Sequence, residues 1–316
     1  MRYKKFRNSG IEVSSLAVGT WAIGGLRYGE VTEKDSIAAI RTMIDNGVNL
    51  VDTAPAYNSG ESERIVGKAL KELSRDKILV STKFGIGFGM GKDGIIPRNA
   101  SREACFKECE DSLRRLGLDY IDFYFVHWPD ANTPTAETMD AMLELKKQGK
   151  IRFIGVSNFT KEMIEDCLKT TAIDVVQPPY SMVNESEKTL MQWCSEKGID
   201  SFSYGSLGAG ILTGTVREIP NWDPLDFRFT FYDYYSEPKF SKCMELLKTL
   251  DKISAENGKP LAQIALNWCT QKDYVGTALC GVRNPKEAKE NCAAFDWKLT
   301  NEEMSVIDRK LAELKI

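Results

Sequence analysis

The feature of this sequence that most limits its fold is the repeated alternation of short apolar segments with longer amphipathic ones. Each apolar segment has the length of a buried strand, and a segment with helical periodicity usually follows it. This alternation predicts parallel strand–helix units. The predicted strands are Leu16–Val18, Leu50–Thr53, Ile78–Thr82, Ile121–Val126, Arg152–Val156, Val175–Gln177, Ser201–Tyr204 and Val275–Cys280.

Apolar stripes and capping residues indicate the helices between these strands. Ile65, Ala69 and Leu73 fall on one helical face. Thr160 suits the N-cap of a helix, and Pro260 suits a first helical position. The predicted helices cover residues 33–46, 61–73, 101–116, 135–148, 160–170, 186–197 and 260–271.

Eight such units predict a closed (β/α)8 barrel, with residues 1–316 forming a single domain. A β-hairpin is expected within residues 1–14, ahead of the first barrel strand, and a helix at 300–313 beyond the last one. Two loops interrupt the alternation, a glycine-rich one at 85–94 and a long aromatic one at 206–238. The alternative is a doubly wound open sheet, but no GxGxxG segment follows an early strand.

Composition narrows the class of protein further. The chain has 42 Lys plus Arg against 45 Asp plus Glu, a net charge of −3, which excludes a generally basic nucleic-acid-binding protein. No apolar run approaches the roughly 20 residues of a membrane span, and no apolar segment typical of a signal peptide follows the basic first residues. The eight cysteines form no CxxC pair, so we expect buried free thiols in a cytoplasmic protein. Because His127 is the only histidine, no metal site is expected.

Polar side chains end several of the predicted strands. In a barrel, functional groups collect at the carboxyl ends of the strands. Asp52, Lys83 and His127 each close an apolar run, and Tyr57 follows the second strand. Each of them alone also fits a structural role, but together they predict a site at one rim.

The four groups form a chemically coherent set. A phenol is a weak acid near neutral pH, and a neighbouring ammonium group lowers its pKa. A carboxylate can hold that ammonium in place, and an imidazole can orient a carbonyl oxygen. The combination therefore suits general acid–base chemistry at a developing alkoxide.

Several motifs make the chain resemble an aldo-keto reductase. They occur in the family's order over nearly the whole chain: LVDTAPAY at 50–57, VSTK at 80–83, YFVHWP at 124–129, GVSNF at 155–159, VQPPY at 176–180, SYGSLGAGILTG at 203–214 and GVRNPKEAKEN at 281–291. The resemblance implies a (β/α)8 barrel and an extended nicotinamide cofactor. It also implies a catalytic tetrad of Asp52, Tyr57, Lys83 and His127, in which Tyr57 donates the proton in carbonyl reduction.

The resemblance also implies a set of cofactor residues. Ser157, Asn158 and Gln177 match the positions that bind the nicotinamide carboxamide, and Tyr204 matches the ring that stacks on the nicotinamide. Leu207 and Gly208 fall near the pyrophosphate, as does Gly205, which replaces the serine of many relatives. The positions matching the adenosine end are Gly281, Arg283, Glu287, Glu290 and Asn291.

Cofactor choice depends on the last of these segments. Many relatives hold the 2′-phosphate with a lysine and an arginine where this chain has Gly281 and Glu287. A carboxylate repels phosphate, whereas the guanidinium of Arg283 suits it. We therefore favour NADP(H), with NAD(H) as the alternative.

Aromatic residues are expected to wall the substrate pocket. These are Trp21, Tyr28, Trp128 and the 206–238 loop, a lining that suits either apolar carbonyl compounds or sugar faces. Asp130 either binds substrate hydroxyls or makes a turn.

The expected function is NAD(P)H-dependent reduction of a small aldehyde or ketone, including sugar- or polyol-type carbonyls, to the alcohol. Two alternatives remain. One is a non-catalytic nicotinamide-binding subunit of an ion channel, and the other is a lyase that forms a Schiff base on Lys83.

Overall fold

The computed structural model describes residues 1–23, 31–87, 96–224 and 226–316. Its strands are β1 (Tyr3–Lys5), β2 (Glu12–Ser14), β3 (Leu16–Gly19), β4 (Leu50–Asp52), β5 (Leu79–Phe84), β6 (Ile121–Val126), β7 (Ile151–Ser157), β8 (Val175–Gln177), β9 (Asp200–Ser203) and β10 (Thr277–Gly281). Strands β3 to β10 pair in parallel in chain order, and β10 closes on β3. The (β/α)8 barrel and its eight predicted strands are therefore confirmed.

Helices alternate with these strands. They are α1 (Glu33–Asp45), α2 (Glu61–Leu70), α3 (Arg102–Leu116), α4 (Thr135–Lys147), α5 (Lys161–Cys167), α6 (Lys188–Glu196), α7 (Phe227–Thr230), α8 (Lys239–Asn257), α9 (Leu261–Thr270), α10 (Pro285–Cys292) and α11 (Asn301–Leu314). The side chain of Thr160 accepts a hydrogen bond from the backbone of Met163, as its predicted capping role requires. Pro260 is the N-cap of α9, so its predicted placement one residue further into the helix was wrong.

Three helices, α7, α8 and α10, were not among those predicted, and the two longer ones, α8 and α10, carry sequence signals. In α8 the buried residues Phe240, Cys243, Leu247 and Leu250 recur at helical spacing. Helix α10 begins at Pro285, a favoured first position. The helix predicted at 300–313 is α11, shifted by one residue.

The predicted hairpin consists of β1 and β2, which pair antiparallel. It is tied to the barrel at Asn49, whose amide oxygen accepts from the backbone of Ser14. Between the two strands, Phe6 packs against Phe123 and Phe202, which belong to the apolar cluster formed by the barrel strands. Burial of such a ring is among the larger apolar contributions to a core. The hairpin therefore packs into the barrel core and leaves the carboxyl-terminal rim uncovered.

A second core layer lies between the strands and the surrounding helices. All eight cysteines are free and buried, as predicted, and all belong to this layer. Tyr28 and most of the glycine-rich segment 85–94 lie outside the described residues. Within the described ranges, no helix is both long and apolar enough to cross a membrane.

Candidate active site

Three neighbouring strands carry the predicted acid–base residues to the carboxyl-terminal rim. Asp52 ends β4, Lys83 lies one residue before the end of β5, and His127 directly follows β6. Tyr57 lies in the turn between β4 and α2 and keeps partial exposure. Because β4, β5 and β6 are adjacent in the barrel, the fold brings together side chains from distant parts of the chain.

The ammonium group of Lys83 lies at the centre of this cluster. It donates to Asp52 Oδ2 at 2.8 Å, to the carbonyl oxygen of Thr53 at 2.8 Å and to the phenol oxygen of Tyr57 at 3.2 Å. The side chains of Lys83 and Asp52 are 0% and 3% exposed. An ammonium has three N–H donors, so Lys83 has one partner for each of them.

Asp52 is held on its other oxygen by two further donors. Its Oδ1 accepts from Ser81 Oγ at 2.6 Å and from Gln177 Nε2 at 2.9 Å. Ser81 was not among the site residues predicted from the sequence. It precedes Lys83 by two residues, and side chains two residues apart on a strand point to the same face. That spacing was the available signal that Ser81 lies on the same side of the strand as Lys83.

Burial and charge act in opposite directions on these groups. Burial raises the pKa of Tyr57 and the charge of Lys83 lowers it, with a net result above the usual value for a phenol. The expectation of a lowered Tyr57 pKa was therefore wrong for the protein without ligands, although the sign of the contribution from Lys83 was right. For Lys83, burial opposes the charged form, but Asp52 and Tyr57 together hold its pKa above the usual value.

His127 lies beside Tyr57 and is neutral. The two rings have centroids 5.9 Å apart and are nearly perpendicular. Burial, followed by the charge of Lys83, lowers the pKa of His127 well below its usual value. Its Nδ1 atom is buried and has no hydrogen-bond partner among the described residues. A neutral ring with an unsatisfied polar atom can form a hydrogen bond with a ligand.

The residues predicted to bind a carboxamide form one hydrogen-bonded cluster on β7, β8 and β9. Asn158 Nδ2 donates to Ser157 Oγ at 3.1 Å and to the carbonyl oxygen of His127 at 3.0 Å. Tyr204 OH donates to Asn158 Oδ1 at 2.9 Å, and Ser157 Oγ donates to the carbonyl oxygen of Gln177 at 2.8 Å. Asn158, Gln177 and Tyr204 line a cavity of about 530 Å³. The cluster therefore adjoins a space of ligand size.

The loop after β9 has an unusual backbone at the positions assigned to the pyrophosphate. Gly205 and Gly208 have φ values of 72° and 56°. A Cβ atom on Gly208 would lie 2.6 Å from Val183, so this position needs glycine for space as well as for conformation. Leu207 is partly buried and packs beside it.

The segment predicted to bind the adenosine end contains an internal ion pair. Arg283 Nη2 lies 2.8 Å from Glu287 Oε1, and the side chains are 50% and 33% exposed. The sequence predicts opposing effects of these two residues on a bound phosphate, whereas the structure pairs them with each other. Asn291 is buried, and its amide nitrogen donates to the sulfur of Cys280. Gly281 and Glu290 are exposed nearby.

Aromatic side chains from the long loop lie beside Tyr57. Trp21 stacks near Tyr57, with centroids 6.4 Å apart, and meets Phe231 edge-on at 5.2 Å and Tyr232 at 6.1 Å. Phe231 is 47% exposed. Residues 229–234 also line a second cavity of about 590 Å³ that Tyr204 borders.

The two residues after His127 that were assigned to substrate differ in their surroundings. Trp128 lines the 530 Å³ cavity, and the guanidinium of Arg98 lies over its ring. Asp130 accepts from the backbones of Ala100 and Asn132 and from the hydroxyl of Thr133. The geometry therefore favours the turn alternative for Asp130 over the substrate one, because its carboxylate oxygens are already used locally.

Residues 15–312 match the model of the aldo/keto reductase family. The chain belongs to the aldo/keto reductase family. As a member, it is a nicotinamide-dependent oxidoreductase that acts on small carbonyl compounds.

Individual relatives match this reductase over almost its full length. It is 37% identical to the aldo-keto reductase YhdN of Bacillus subtilis, over 98% of this chain and 93% of the relative. It is 34% identical to an NADH-specific methylglyoxal reductase of Escherichia coli, over 96% of each chain. A solved glycerol dehydrogenase of Gluconobacter oxydans superposes with a TM-score of 0.87 at 32% identity, over 98% of this chain and 95% of that one.

Proposed function

We propose that this reductase converts a small aldehyde or ketone to the alcohol, with Tyr57 as the proton donor. The observation that carries the proposal is the hydrogen bond from the buried Lys83 ammonium to the phenol oxygen of Tyr57. Because that oxygen accepts from Lys83, the proton of the phenol points elsewhere. A carbonyl oxygen placed at the rim is the acceptor that this chemistry requires.

The proposed mechanism assigns one role to each tetrad member. The hydride would come from a nicotinamide cofactor bound at the residues described below. The Tyr57 O–H bond breaks, and its proton goes to the carbonyl oxygen as negative charge develops there. Lys83 then stabilises the phenolate, and Asp52 keeps Lys83 charged and oriented. Neutral His127 orients the carbonyl oxygen without competing as an acid.

The residues around the carboxamide position fit a nicotinamide group. Asn158 Oδ1 accepts from Tyr204 and has a second lone pair. The Nε2 end of the Gln177 amide donates to Asp52, so its oxygen lies at the opposite end. Two acceptors match the two N–H donors of a carboxamide. The bond to Asn158 also orients the Tyr204 ring for stacking on the nicotinamide.

The rest of the cofactor is assigned to the loops that follow β9 and β10. Close backbone approach at Gly205, Leu207 and Gly208 suits the pyrophosphate. Gly281, Glu290 and Asn291 are assigned to the adenosine end. The assignment of Asn291 requires its amide to leave Cys280 or to bind through its oxygen.

Arg283 and Glu287 form the element proposed to choose between the two cofactors. Arg283 suits the 2′-phosphate of NADPH, whereas Glu287 suits a ribose hydroxyl of NADH. We propose a preference for NADP(H), with NAD(H) as the alternative that the name of the NADH-specific relative supports. Their pairing means that phosphate must compete with Glu287 for the guanidinium.

Small oxygenated carbonyl compounds are the proposed substrates. Two relatives are named for methylglyoxal and glycerol, which are short and oxygen-rich. Trp21 and the aromatic loop beside Tyr57 provide flat apolar walls, and Trp128 lines the adjoining cavity. Such walls suit sugar-like faces as well as aryl aldehydes.

The test is loss of nicotinamide absorbance with purified protein, run with NADPH and NADH side by side against aryl aldehydes, methylglyoxal and short sugars. Tyr57→Phe is expected to lower kcat by at least about 100-fold while cofactor binding persists. Retained turnover in Tyr57→Phe would overturn the assignment of the proton donor. Cofactor binding without turnover on any carbonyl would favour the non-catalytic alternative.

The lyase alternative conflicts with the state of Lys83. A Schiff base needs a neutral amine with a free lone pair. The Lys83 ammonium instead donates to three partners, and its pKa is raised. The geometry therefore supports Lys83 as a charge beside Tyr57 and not as a nucleophile.

A further inference from the structure

The carboxylate of Asp52 carries more hydrogen bonds than an ion pair with Lys83 requires. Lys83 binds Oδ2, while Ser81 and Gln177 both donate to Oδ1. Ser81 is fully buried, and Gln177 and Asp52 are nearly so. A buried carboxylate is tolerated only when its lone pairs are satisfied, so these donors determine where Asp52 lies.

The positions of the two donors follow from the barrel. Ser81 lies directly opposite Asp52 in the β4–β5 ladder, where facing side chains are neighbours. It also precedes Lys83 on the same strand by two residues, so both side chains point to one face. Gln177 ends β8 and reaches Asp52 from another side of the rim.

We propose that Ser81 is a positioning residue for the reduction and that, with Gln177, it links the carboxamide site to the Asp52–Lys83–Tyr57 chain. This inference rests on the proposed function for its kinetic readout. Ser81 touches neither substrate nor cofactor in this scheme. It acts by fixing Asp52 and by spreading the carboxylate charge that Lys83 and Tyr57 experience.

The expected direction of the effect follows from charge. The negative charge of Asp52 raises the pKa of Tyr57, and Lys83 lowers it. Removing the Ser81 donor leaves more negative charge on Asp52, which makes the phenol a weaker acid. Reduction needs protonated Tyr57, so its rate falls as pH rises through the Tyr57 pKa. In Ser81→Ala this fall moves to higher pH.

The kinetic experiment compares Ser81→Ala with Ser203→Ala. Ser203 is also fully buried on a barrel strand, but its hydroxyl bonds to the carbonyl of Thr277 and the sulfur of Cys269. We expect Ser81→Ala to lower kcat about 10-fold, the effect of one hydrogen bond to a charged group, with the KM for the carbonyl and the Kd for the cofactor unchanged. Ser203→Ala should keep the wild-type kcat, and Ser81→Thr, which keeps the hydroxyl, should restore it.

A second readout does not depend on turnover. With ¹⁵N-labelled lysine, the buried Lys83 ammonium should give a slowly exchanging signal, assigned by its loss in Lys83→Met. Ser81→Ala should shift or broaden this signal in the protein without cofactor, and Ser203→Ala should leave it in place.

The outcomes separate the two proposals. If wild-type protein reduces carbonyls and Ser81→Ala matches Ser203→Ala in kcat, pH profile and ammonium signal, the role of Ser81 is overturned. An equal loss of kcat in both serine variants also overturns it, because the effect is then general to the barrel. If the wild-type protein reduces no carbonyl, the proposed function fails. The NMR signal of the Lys83 ammonium then shows by itself whether Ser81 positions the Asp52–Lys83 ion pair.

Discussion

Each end of the barrel buries a carboxylate, and the two are connected differently. At the amino-terminal end, Asp122 accepts from Arg75 at 2.7 Å, from Arg152 at 2.6 Å and from the backbone of Val80 at 2.9 Å. At the carboxyl-terminal end, Asp52 accepts from Lys83, Ser81 and Gln177. Both carboxylates accept hydrogen bonds on both oxygens, so the number of hydrogen bonds alone does not distinguish a structural carboxylate from a functional one.

The two sites differ in the surroundings of the cations that pair with Asp122 and Asp52. The side chains of Arg75 and Arg152, which pair with Asp122, are partly exposed, so solvent screens their positive charge. Lys83 is fully buried and donates its third hydrogen bond to the phenol oxygen of Tyr57. Tyr57 is partly exposed and lies beside the neutral imidazole of His127. A buried charge that leads to a titratable group at the carboxyl-terminal rim can influence proton transfer, whereas one that leads to bulk water stabilises the fold.

The largest expected effect comes from removing the cation at the carboxyl-terminal end. Lys83→Met should lower kcat for carbonyl reduction by about 10³-fold, because the phenolate of Tyr57 loses its stabilising charge. Lys4→Met is the control, since Lys4 is a part-buried lysine at the opposite end that binds the carbonyls of Lys272 and Val275. Similar losses of kcat in both variants would contradict the comparison.

The next effect is on stability at the amino-terminal end. Asp122→Ala should lower the free energy of unfolding by about 3 kcal/mol, since Arg75, Arg152 and Val80 lose a shared buried acceptor. Urea unfolding measures this, and kcat per folded molecule should stay at the wild-type value. A loss of kcat comparable with that of Lys83→Met would show that the two ends are not separable.

A smaller effect is expected at the ion pair between Arg283 and Glu287, in the segment that follows β10. Arg283→Ala should raise the Kd for NADPH about 10-fold and leave that for NADH unchanged, because only NADPH carries the 2′-phosphate that Arg283 is proposed to bind. Glu287→Gln should act in the opposite direction by releasing Arg283. Fluorescence titration with both cofactors measures these values, with Arg309→Ala as an exposed-arginine control. An unchanged Kd for NADPH in Arg283→Ala would remove the phosphate role.

The smallest effect concerns pH and the hairpin at the amino-terminal end. Burial raises the pKa of Asp200 to about 6, while its hydrogen bond from the backbone of Arg7 lowers it. The folded state therefore holds the proton more tightly than the unfolded chain, whose Asp pKa is about 3.9. The stability contributed by protonation is fully present below about pH 4 and is lost as pH rises through about 6, by about 1 kcal/mol for this half-buried group.

Asp200→Asn should remove this slope from the unfolding free energy measured between pH 4 and pH 6. If the slope is the same in the variant and in the wild type, another group is responsible.

Much of the fold was predictable because strand and helix signals are local. The eight barrel strands were found as apolar runs, and Asp52, Lys83 and His127 were found because each ends such a run. Helix α8 was missed although its apolar period is present.

Other features were not predictable because they depend on distances across the barrel. Gln177 reaches Asp52 from 125 residues away in the chain, which no local pattern indicates. The net direction of the Tyr57 pKa shift required the extent of burial as well as the neighbouring charge. The turn at Asp130 was already one of two alternatives from sequence, and only its hydrogen bonds favoured that one.

The sequence by itself determined the order of strands and helices, the barrel, and the residue types that reach its carboxyl-terminal rim. Periodicity and strand ends are properties of neighbouring residues, so they survive in a linear chain. Only the tertiary structure decided that Ser81 faces Asp52, that Gln177 reaches the same carboxylate and that the Lys83 ammonium donates to three acceptors. Those facts depend on strand register, on burial and on the meeting of polar groups from separate strands, which exist only once the barrel has closed.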